Sequence, residues 1–205
     1  MGGIKIKLIY KGNFKGEEYL TKADLPSNSV KFREPETAEE LSKTSMIFLI
    51  PCAILIGIIV FMSINHHNQF NYDNKYFFLS LLLSFATILP HEILHGICFG
   101  KDAEVELYVS LKNMMAFVIS TKPISKRRFI FLSLLPNIVF GWIPLLIWAF
   151  MPYNAVVSNI ILPFSIICIT FGVGDYLNVW NAMRQMPKNS MQVLSGFNSY
   201  WYIEN

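Results

Sequence analysis

Charged residues are scarce in this chain of 205 residues: they make up 15% of it, whereas hydrophobic residues make up 53%. A soluble domain usually carries about 25% charged residues. The scarcity argues against an ordinary water-soluble domain and predicts that much of the chain is buried in a lipid bilayer. The net charge of +3 is small, and no nucleic-acid partner is expected.

Cysteine is also rare, with only Cys52, Cys98 and Cys168, each in or beside an apolar run. An odd number of thiols cannot all pair, so a disulfide scaffold is not expected. No cleavable signal peptide is predicted either, because the first apolar run begins near Met46, after a long charged segment.

Long apolar runs, in contrast, are plentiful. Spanning a bilayer takes roughly 20 mostly apolar residues, and four runs are of about this length: 46–64, 76–99, 129–150 and 155–178. They predict an all-α polytopic membrane protein with about four transmembrane helices. Residues 1–45 would form an N-terminal cytoplasmic segment, and residues 46–205 a membrane-embedded domain.

The positions of lysine and arginine predict the topology. Of the 17 such residues, eight precede the first run, one lies in the first loop, six in the second, none in the third and two in the tail. By the positive-inside rule, both termini and the second loop lie in the cytoplasm, and the protein lies in the cell membrane.

Two polar segments show strand character. Apolar residues alternate with charged ones at Ile4, Ile6 and Leu8, which predicts a short N-terminal strand. A similar alternation begins at Glu104 and, after a polar break, an apolar run follows to Ile119. We therefore expect a cytoplasmic β-hairpin over residues 104–120.

The second apolar run contains the sequence His91-Glu92-Ile93-Leu94-His95. Residues four apart on a helix share one face, so both imidazoles can reach one metal ion, with Glu92 beside them as a general base. Ionisable groups inside an apolar span cost several kcal/mol unless they pair or bind something. The motif predicts a zinc site with Glu92 as the catalytic residue. The alternative is that the three side chains only form hydrogen bonds with one another inside a helix bundle.

A catalytic zinc usually has three protein ligands, and depth in the membrane favours Asp175 as the third. At about 1.5 Å per residue, His91 and His95 lie about 22 and 29 Å beyond Tyr76, and Asp175 lies about 30 Å beyond the start of the fourth run. Both helices run in the same direction, so the three side chains fall towards the cytoplasmic end.

Other interpretations of these carboxylates remain open. Asp175 can instead cap its helix or pair with Arg184, and Glu104 and Glu106 are alternative ligands. Asn137 lies in the third run, near the depth of the motif. It can donate a hydrogen bond to a substrate carbonyl or to an oxyanion. Alternatively, it can form a hydrogen bond with a neighbouring helix or with a backbone group freed by Pro136.

The combination of motifs resembles the site-2-protease class of intramembrane metalloproteases: the central His91-to-His95 motif, Pro136-Asn137 in a later span and Gly174-Asp175 in the last. The order of the last pair is reversed relative to that class. More narrowly, the segment from Tyr76 onwards is similar to a bacterial family of zincin membrane peptidases of unknown function.

The resemblance implies zinc (Zn2+) held by His91 and His95, Glu92 as the catalytic base and Asp175 as the third ligand. The function we expect is hydrolysis of peptides or membrane proteins at or within the cytoplasmic side of the membrane. The alternative is a non-catalytic metal-binding scaffold or a transporter accessory protein. The oligomeric state is not predicted.

Overall fold

The computed structural model describes residues 6–67, 71–110 and 115–204. The helices of this part of the chain are α1 (Ala38–Ser45), α2 (Leu49–His67), α3 (Phe77–Ala86), α4 (Ile88–Cys98), α5 (Lys126–Asn137), α6 (Ile143–Phe150), α7 (Ala155–Phe171) and α8 (Val173–Gln185). The strands are β1 (Lys7–Asn13), β2 (Val30–Lys31), β3 (Glu104–Ser110), β4 (Met115–Ile119), β5 (Ile124–Ser125), β6 (Ser190–Ser195) and β7 (Asn198–Ile203).

Within the described residues, three helical stretches are long and apolar enough to cross a membrane, namely Glu39–His67, Asn74–Cys98 and Lys126–Phe150. The pair α7 and α8 forms a fourth if the two are taken as one span bent by 47°. The predicted number of apolar helical runs, about four, therefore agrees with the structure, while their insertion in a membrane stays a prediction. Only 11% of the most apolar window is buried in each of the first two stretches, so their apolar side chains face outwards, as lipid contact requires.

Two of these stretches are interrupted close to a proline. Pro90 lacks the N–H that would bond the carbonyl four residues earlier, and the helix breaks at Thr87, between α3 and α4. Pro136 lies near the end of α5, and the wider π-helical turn Ile138–Trp142 connects α5 to α6. Both irregularities adjoin residues predicted to act in the site.

The first sheet has the strand order β1-β3-β4. β3 and β4 pair in antiparallel fashion, which confirms the predicted hairpin, although its residues 111–114 lie outside the described part of the chain. β1 pairs in parallel with β3, and the predicted N-terminal strand therefore exists from Lys7 onwards. Ile4 lies outside the described residues.

The all-α fold class is wrong, because a second sheet of order β2-β7-β6-β5 also forms. Burial along β6 does not alternate between adjacent residues, so this strand lacks the period-two pattern that predicts one. Its partners are also distant in sequence: Val30 lies opposite Trp201, and Ile124 opposite Gln192. These strands are stabilised by tertiary pairing that local pattern does not encode.

A buried apolar core joins the sheets to the helix ends that carry the site. It is formed by residues from both sheets, from two helices and from the segments beside them: Phe32, Phe99, Ala103, Val105, Ile124, Phe129, Leu132, Ala182 and Met186; Cys98 at the end of α4 packs against it. The ends of α4, α5 and α8 therefore rest on the sheets, which fixes their positions relative to one another.

Candidate metal centre

The two motif histidines on α4 face a carboxylate from α8. His91 Nε2 lies 3.1 Å from Asp175 Oδ2, and His95 Nε2 lies 3.2 Å from Asp175 Oδ1. Asp175 and His91 side chains are 13% and 16% exposed, and that of His95 is 8% exposed. Two imidazoles and a carboxylate thus meet in a largely buried place, although they come from elements about 80 residues apart in sequence.

These distances suit ligands of a single small cation. Zinc binds nitrogen and oxygen ligands at about 2.0–2.1 Å in tetrahedral geometry, which separates neighbouring ligand atoms by roughly 3.3 Å. The two distances from the histidine Nε2 atoms to the Asp175 oxygens, 3.1 and 3.2 Å, are close to that separation. One ligand atom each from His91, Glu92 and His95 also lies within 4.8 Å of the others. The donor set therefore fits zinc.

Asp175 reaches the histidines because the chain bends just before it. α7 ends at Phe171, and α8 begins at Val173 after a 47° change of direction. Asp175 lies in the first turn of α8, where its backbone N–H bonds the carbonyl of Gly172 at 3.0 Å. A carboxylate is favoured there, since the N-terminal end of a helix carries a partial positive charge.

Asn137 lies behind this carboxylate. Its Nδ2 donates to Asp175 Oδ2 at 2.8 Å, and the residue is only 1% exposed. Gly172 leaves the space for it, because a Cβ added to Gly172 would overlap the Asn137 side chain. The contact is made to the same carboxylate oxygen that faces His91, and it helps to orient Asp175. A direct role of Asn137 towards a substrate or an oxyanion stays a prediction.

His95 is held by a backbone group that a proline has freed. Its Nδ1–H donates to the carbonyl of Leu132 at 2.9 Å. In a regular helix this carbonyl would accept from the N–H of residue 136, but that residue is Pro136 and has none. Because Nδ1 carries the proton in the neutral ring, Nε2 is left with a lone pair that faces the site.

Glu92 points from α4 towards the first sheet. It is 9% exposed, and its carboxylate accepts a hydrogen bond from the backbone N–H of Val118. β4 is the edge strand of its sheet, so its free edge lies beside the motif. Glu92 is therefore at once near both histidines and near a strand edge that can receive an extended peptide.

Among the described residues, two cavities reach the candidate metal centre, with volumes of about 160 and 310 Å³. Both are lined by His91, Glu92, Met115, Ala116 and Phe171. The smaller continues between α3, α4 and α7, past Phe85, Thr87, Ile88 and Cys168. The larger continues between β4 and the second sheet. The site is therefore accessible both from between the helices and from the sheets.

The alternative carboxylate ligands lie elsewhere. Glu104 pairs with Lys7 at 2.7 Å on the surface, and Glu106 with Lys11 at 2.9 Å. Arg184, the predicted alternative partner of Asp175, lies over the Trp180 ring, 5.2 Å from its centroid. Among the described residues outside the motif, Asp175 is thus the one whose carboxylate lies within 4.0 Å of His91 and His95.

Sequence analysis missed Glu34, which lines the larger cavity. Its carboxylate accepts from the backbone N–H of Ser199 at 2.5 Å and from the hydroxyl of the same residue. Burial raises the pKa of Glu34 to about 7, against these hydrogen bonds and the charge of Lys31. Nothing in the spacing distinguishes Glu34 from Glu36 or Glu39, so no signal in the sequence identifies it.

Comparison with known families adds an independent observation. Residues 84–191 match the family described as "Putative zincin peptidase". The chain belongs to this family. The zincin-peptidase segment includes both motif histidines, Glu92, Asn137 and Asp175. None of the curated proteins and none of the solved structures shows a significant match.

Proposed function

We propose that the protein is a zinc-dependent metallopeptidase of the cell membrane that hydrolyses peptide bonds at or within the cytoplasmic side. The observation that carries the proposal is the convergence of His91 Nε2 and His95 Nε2 on the two carboxylate oxygens of Asp175, at 3.1 and 3.2 Å. Membership of a zincin family, and helices apolar enough to span a bilayer, support it.

His91, His95 and Asp175 would hold the zinc ion. Bound zinc acts as a Lewis acid and lowers the pKa of a bound water to about 7. Glu92 supplies the proton transfers: its carboxylate removes a proton from the attacking water and later gives it to the leaving amine. Its place between the histidines and β4 suits this, because the peptide and the water must both lie within its reach.

The free edge of β4 is where we expect the substrate to bind. An extended peptide added to this edge would form backbone hydrogen bonds with the strand and pass over Glu92. The two cavities on either side of the cluster would then take its side chains. One leads between helices that we assign to the membrane, which suits a membrane-protein substrate as in the site-2-protease class.

The distribution of lysine and arginine supports cytoplasmic termini and a cytoplasmic site. Both sheets lie at the same end of the molecule as the cluster, because the apolar core packs strand residues such as Val105 against the ends of α4, α5 and α8. In this topology the sheets face the cytoplasm and the zinc cluster lies at or within the inner edge of the membrane.

The test is a paired measurement on the full-length protein, purified in detergent. Zinc content is determined by elemental analysis, and cleavage is followed by mass spectrometry of a mixed peptide library. We expect about one zinc per chain, cleavage that stops with a zinc chelator, and a rate lowered roughly 10²- to 10⁴-fold in Glu92→Gln with its zinc retained. Negligible zinc in the wild type, or equal cleavage by Glu92→Gln, would refute the proposal.

The same variant distinguishes an enzyme from a metal-binding scaffold. A scaffold needs the zinc ligands and not the general base, so its cellular phenotype would survive Glu92→Gln and be lost in His91→Ala. A peptidase loses its phenotype in both variants.

A further inference from the structure

The larger cavity is lined by the four residues of the candidate zinc cluster, His91, Glu92, His95 and Asp175. Apart from these, the described residues that line it carry one charged side chain, Glu34. Most of the other lining residues are apolar, among them Leu41, Phe117 and Phe129. A carboxylate in such a wall is costly unless something compensates for its charge.

Glu34 is held in a fixed orientation. The backbone N–H of Ser199 donates to Oε1 at 2.5 Å, and the Ser199 hydroxyl also bonds the carboxylate. Ser199 belongs to β7, and Phe32, the residue that follows β2, donates its N–H to the Ser199 carbonyl at 2.9 Å. The carboxylate is therefore anchored to the rigid second sheet.

The charge of Glu34 has no close cationic partner among the described residues. Lys31 is the cation whose charge reaches it, but the Lys31 ammonium pairs with Glu36 at 3.5 Å. The neighbouring Arg33 binds through its backbone, which exchanges hydrogen bonds with the Gln185 side chain at 2.7 and 3.0 Å. A cationic group entering the cavity would thus meet a carboxyl group that forms no ion pair with a described residue, and it would favour the ionised form of that group.

We propose that Glu34 is a specificity-determining residue that selects substrates carrying a cationic amino group, which it binds while the peptide lies along β4. The inference rests on the proposed peptidase function. The amino group can come from a lysine side chain or from a free peptide N-terminus, since both present an ammonium. An ion pair formed in this partly buried place would be stronger than one on the surface.

A purely structural role for Glu34 is separable from this one. The Ser199 N–H needs only an oxygen acceptor, and glutamine supplies one of the same shape. Glu34→Gln therefore keeps the anchor and removes the charge. Glu39→Gln is the matched control, because Glu39 is an exposed carboxylate that pairs with Lys43 at 2.6 Å and does not line the cavity.

The experiment measures binding, so it does not depend on turnover. Full-length protein carrying Glu92→Gln is purified in detergent, and fluorescently labelled octapeptides of serine and alanine are titrated into it. Each peptide has lysine or uncharged norleucine at one of the eight positions. One set is N-terminally acetylated and the other has a free amine, which distinguishes the two sources of the ammonium.

With Glu34 present, we expect at least one lysine peptide or free-amine peptide to bind about tenfold more tightly than its uncharged counterpart. Glu34→Gln should abolish this preference, and Glu39→Gln should retain it. A preference that persists in Glu34→Gln would overturn the inference, as would equal binding of charged and uncharged peptides or no binding of either. Zinc content and cleavage by the wild type report separately on the proposed function.

Discussion

Two pairs of histidines lie in different parts of the molecule: His66 and His67 at the end of α2, and His91 and His95 on α4. In each pair the ring centroids are 4.8 Å apart, with the rings inclined at 69° and 78°. Their surroundings differ. His66 is exposed, and the ring of His67 donates to the carbonyl of Ala149 at 3.3 Å.

The comparison shows that close imidazoles do not by themselves make a metal site. Spacing by four residues, unlike spacing by one, directs both side chains to the same face of a helix. The α4 pair also has a carboxylate opposite it, whereas among the described residues no carboxylate oxygen lies within 4.0 Å of His66 or His67. The carboxylate of Asp175 and the groups that orient it distinguish the α4 pair from the pair on α2.

The largest effect is expected from removing a histidine of the α4 pair. His91→Ala or His95→Ala should abolish stoichiometric zinc binding, because each removes a ligand. The double variant His66→Ala/His67→Ala should keep about one zinc per chain and serves as the matched control. Elemental analysis of the purified proteins measures this. Zinc loss in the control with retention in the α4 variants would reverse the comparison.

A smaller effect is expected from Asn137→Leu, which removes the amide that donates to Asp175 at 2.8 Å and keeps a similar volume. Loss of such an orienting hydrogen bond typically lowers metal affinity 10- to 100-fold. Competition with a chelating dye measures the affinity. An unchanged zinc affinity would mean that Asp175 needs no orienting partner.

Pro136→Ala should separate stability from metal binding. The new N–H can bond the Leu132 carbonyl, which competes with His95 Nδ1 for its acceptor at 2.9 Å. Helix α5 should become more stable, since proline in a helix interior costs about 3 kcal/mol, while zinc affinity falls by less than the effect of Asn137→Leu. Thermal unfolding and dye competition measure the two quantities. A rise in both would contradict the role assigned to the freed carbonyl.

The smallest effect concerns Glu34 and is a dependence of stability on pH. Its pKa lies at about 7 in the folded protein against 4.5 for an unperturbed carboxyl. The folded state therefore binds the proton more tightly, and the stabilisation present below pH 4.5 is lost as pH rises through 7. A shift of this size is worth at most on the order of 3 kcal/mol.

Glu34→Gln removes the pH-dependent contribution of this carboxyl group to the free energy of unfolding. The melting temperature of the variant relative to the wild type should rise by a few degrees between pH 5 and pH 8, whereas Glu39→Gln should show no such trend. The groups that face Glu34 are Lys31 on its own segment and, across the cavity, the side chains of His91, Glu92, His95 and Asp175. A flat difference over this pH range would contradict the buried position of the carboxylate.

Much of the site could be anticipated because its parts are encoded locally. The His91-Glu92-Ile93-Leu94-His95 spacing specifies a helix face, and two helices running in the same direction place Asp175 at the same depth. The apolar runs and the hairpin from Glu104 likewise follow from length and alternation.

The rest depends on tertiary contacts that no local pattern records. The second sheet pairs residues as distant as Val30 and Trp201. The contact of Asn137 with Asp175 depends on the space at Gly172, where the chain bends. The orientation of His95 depends on the Leu132 carbonyl, which Pro136 leaves without a helical partner. Glu34 lies in an ordinary polar stretch, and only the assembled cavity distinguishes it from its acidic neighbours.

The central claim is that His91, His95 and Asp175 bind one zinc ion together, and X-ray absorption at the zinc edge of the purified full-length protein tests it most directly. We predict two imidazole nitrogens and oxygen ligands at about 2.0–2.2 Å, with no sulfur at about 2.3 Å. In Asp175→Asn the imidazole signal should persist with a changed oxygen shell. Sulfur coordination, a spectrum without imidazole, or no bound zinc would contradict the claim.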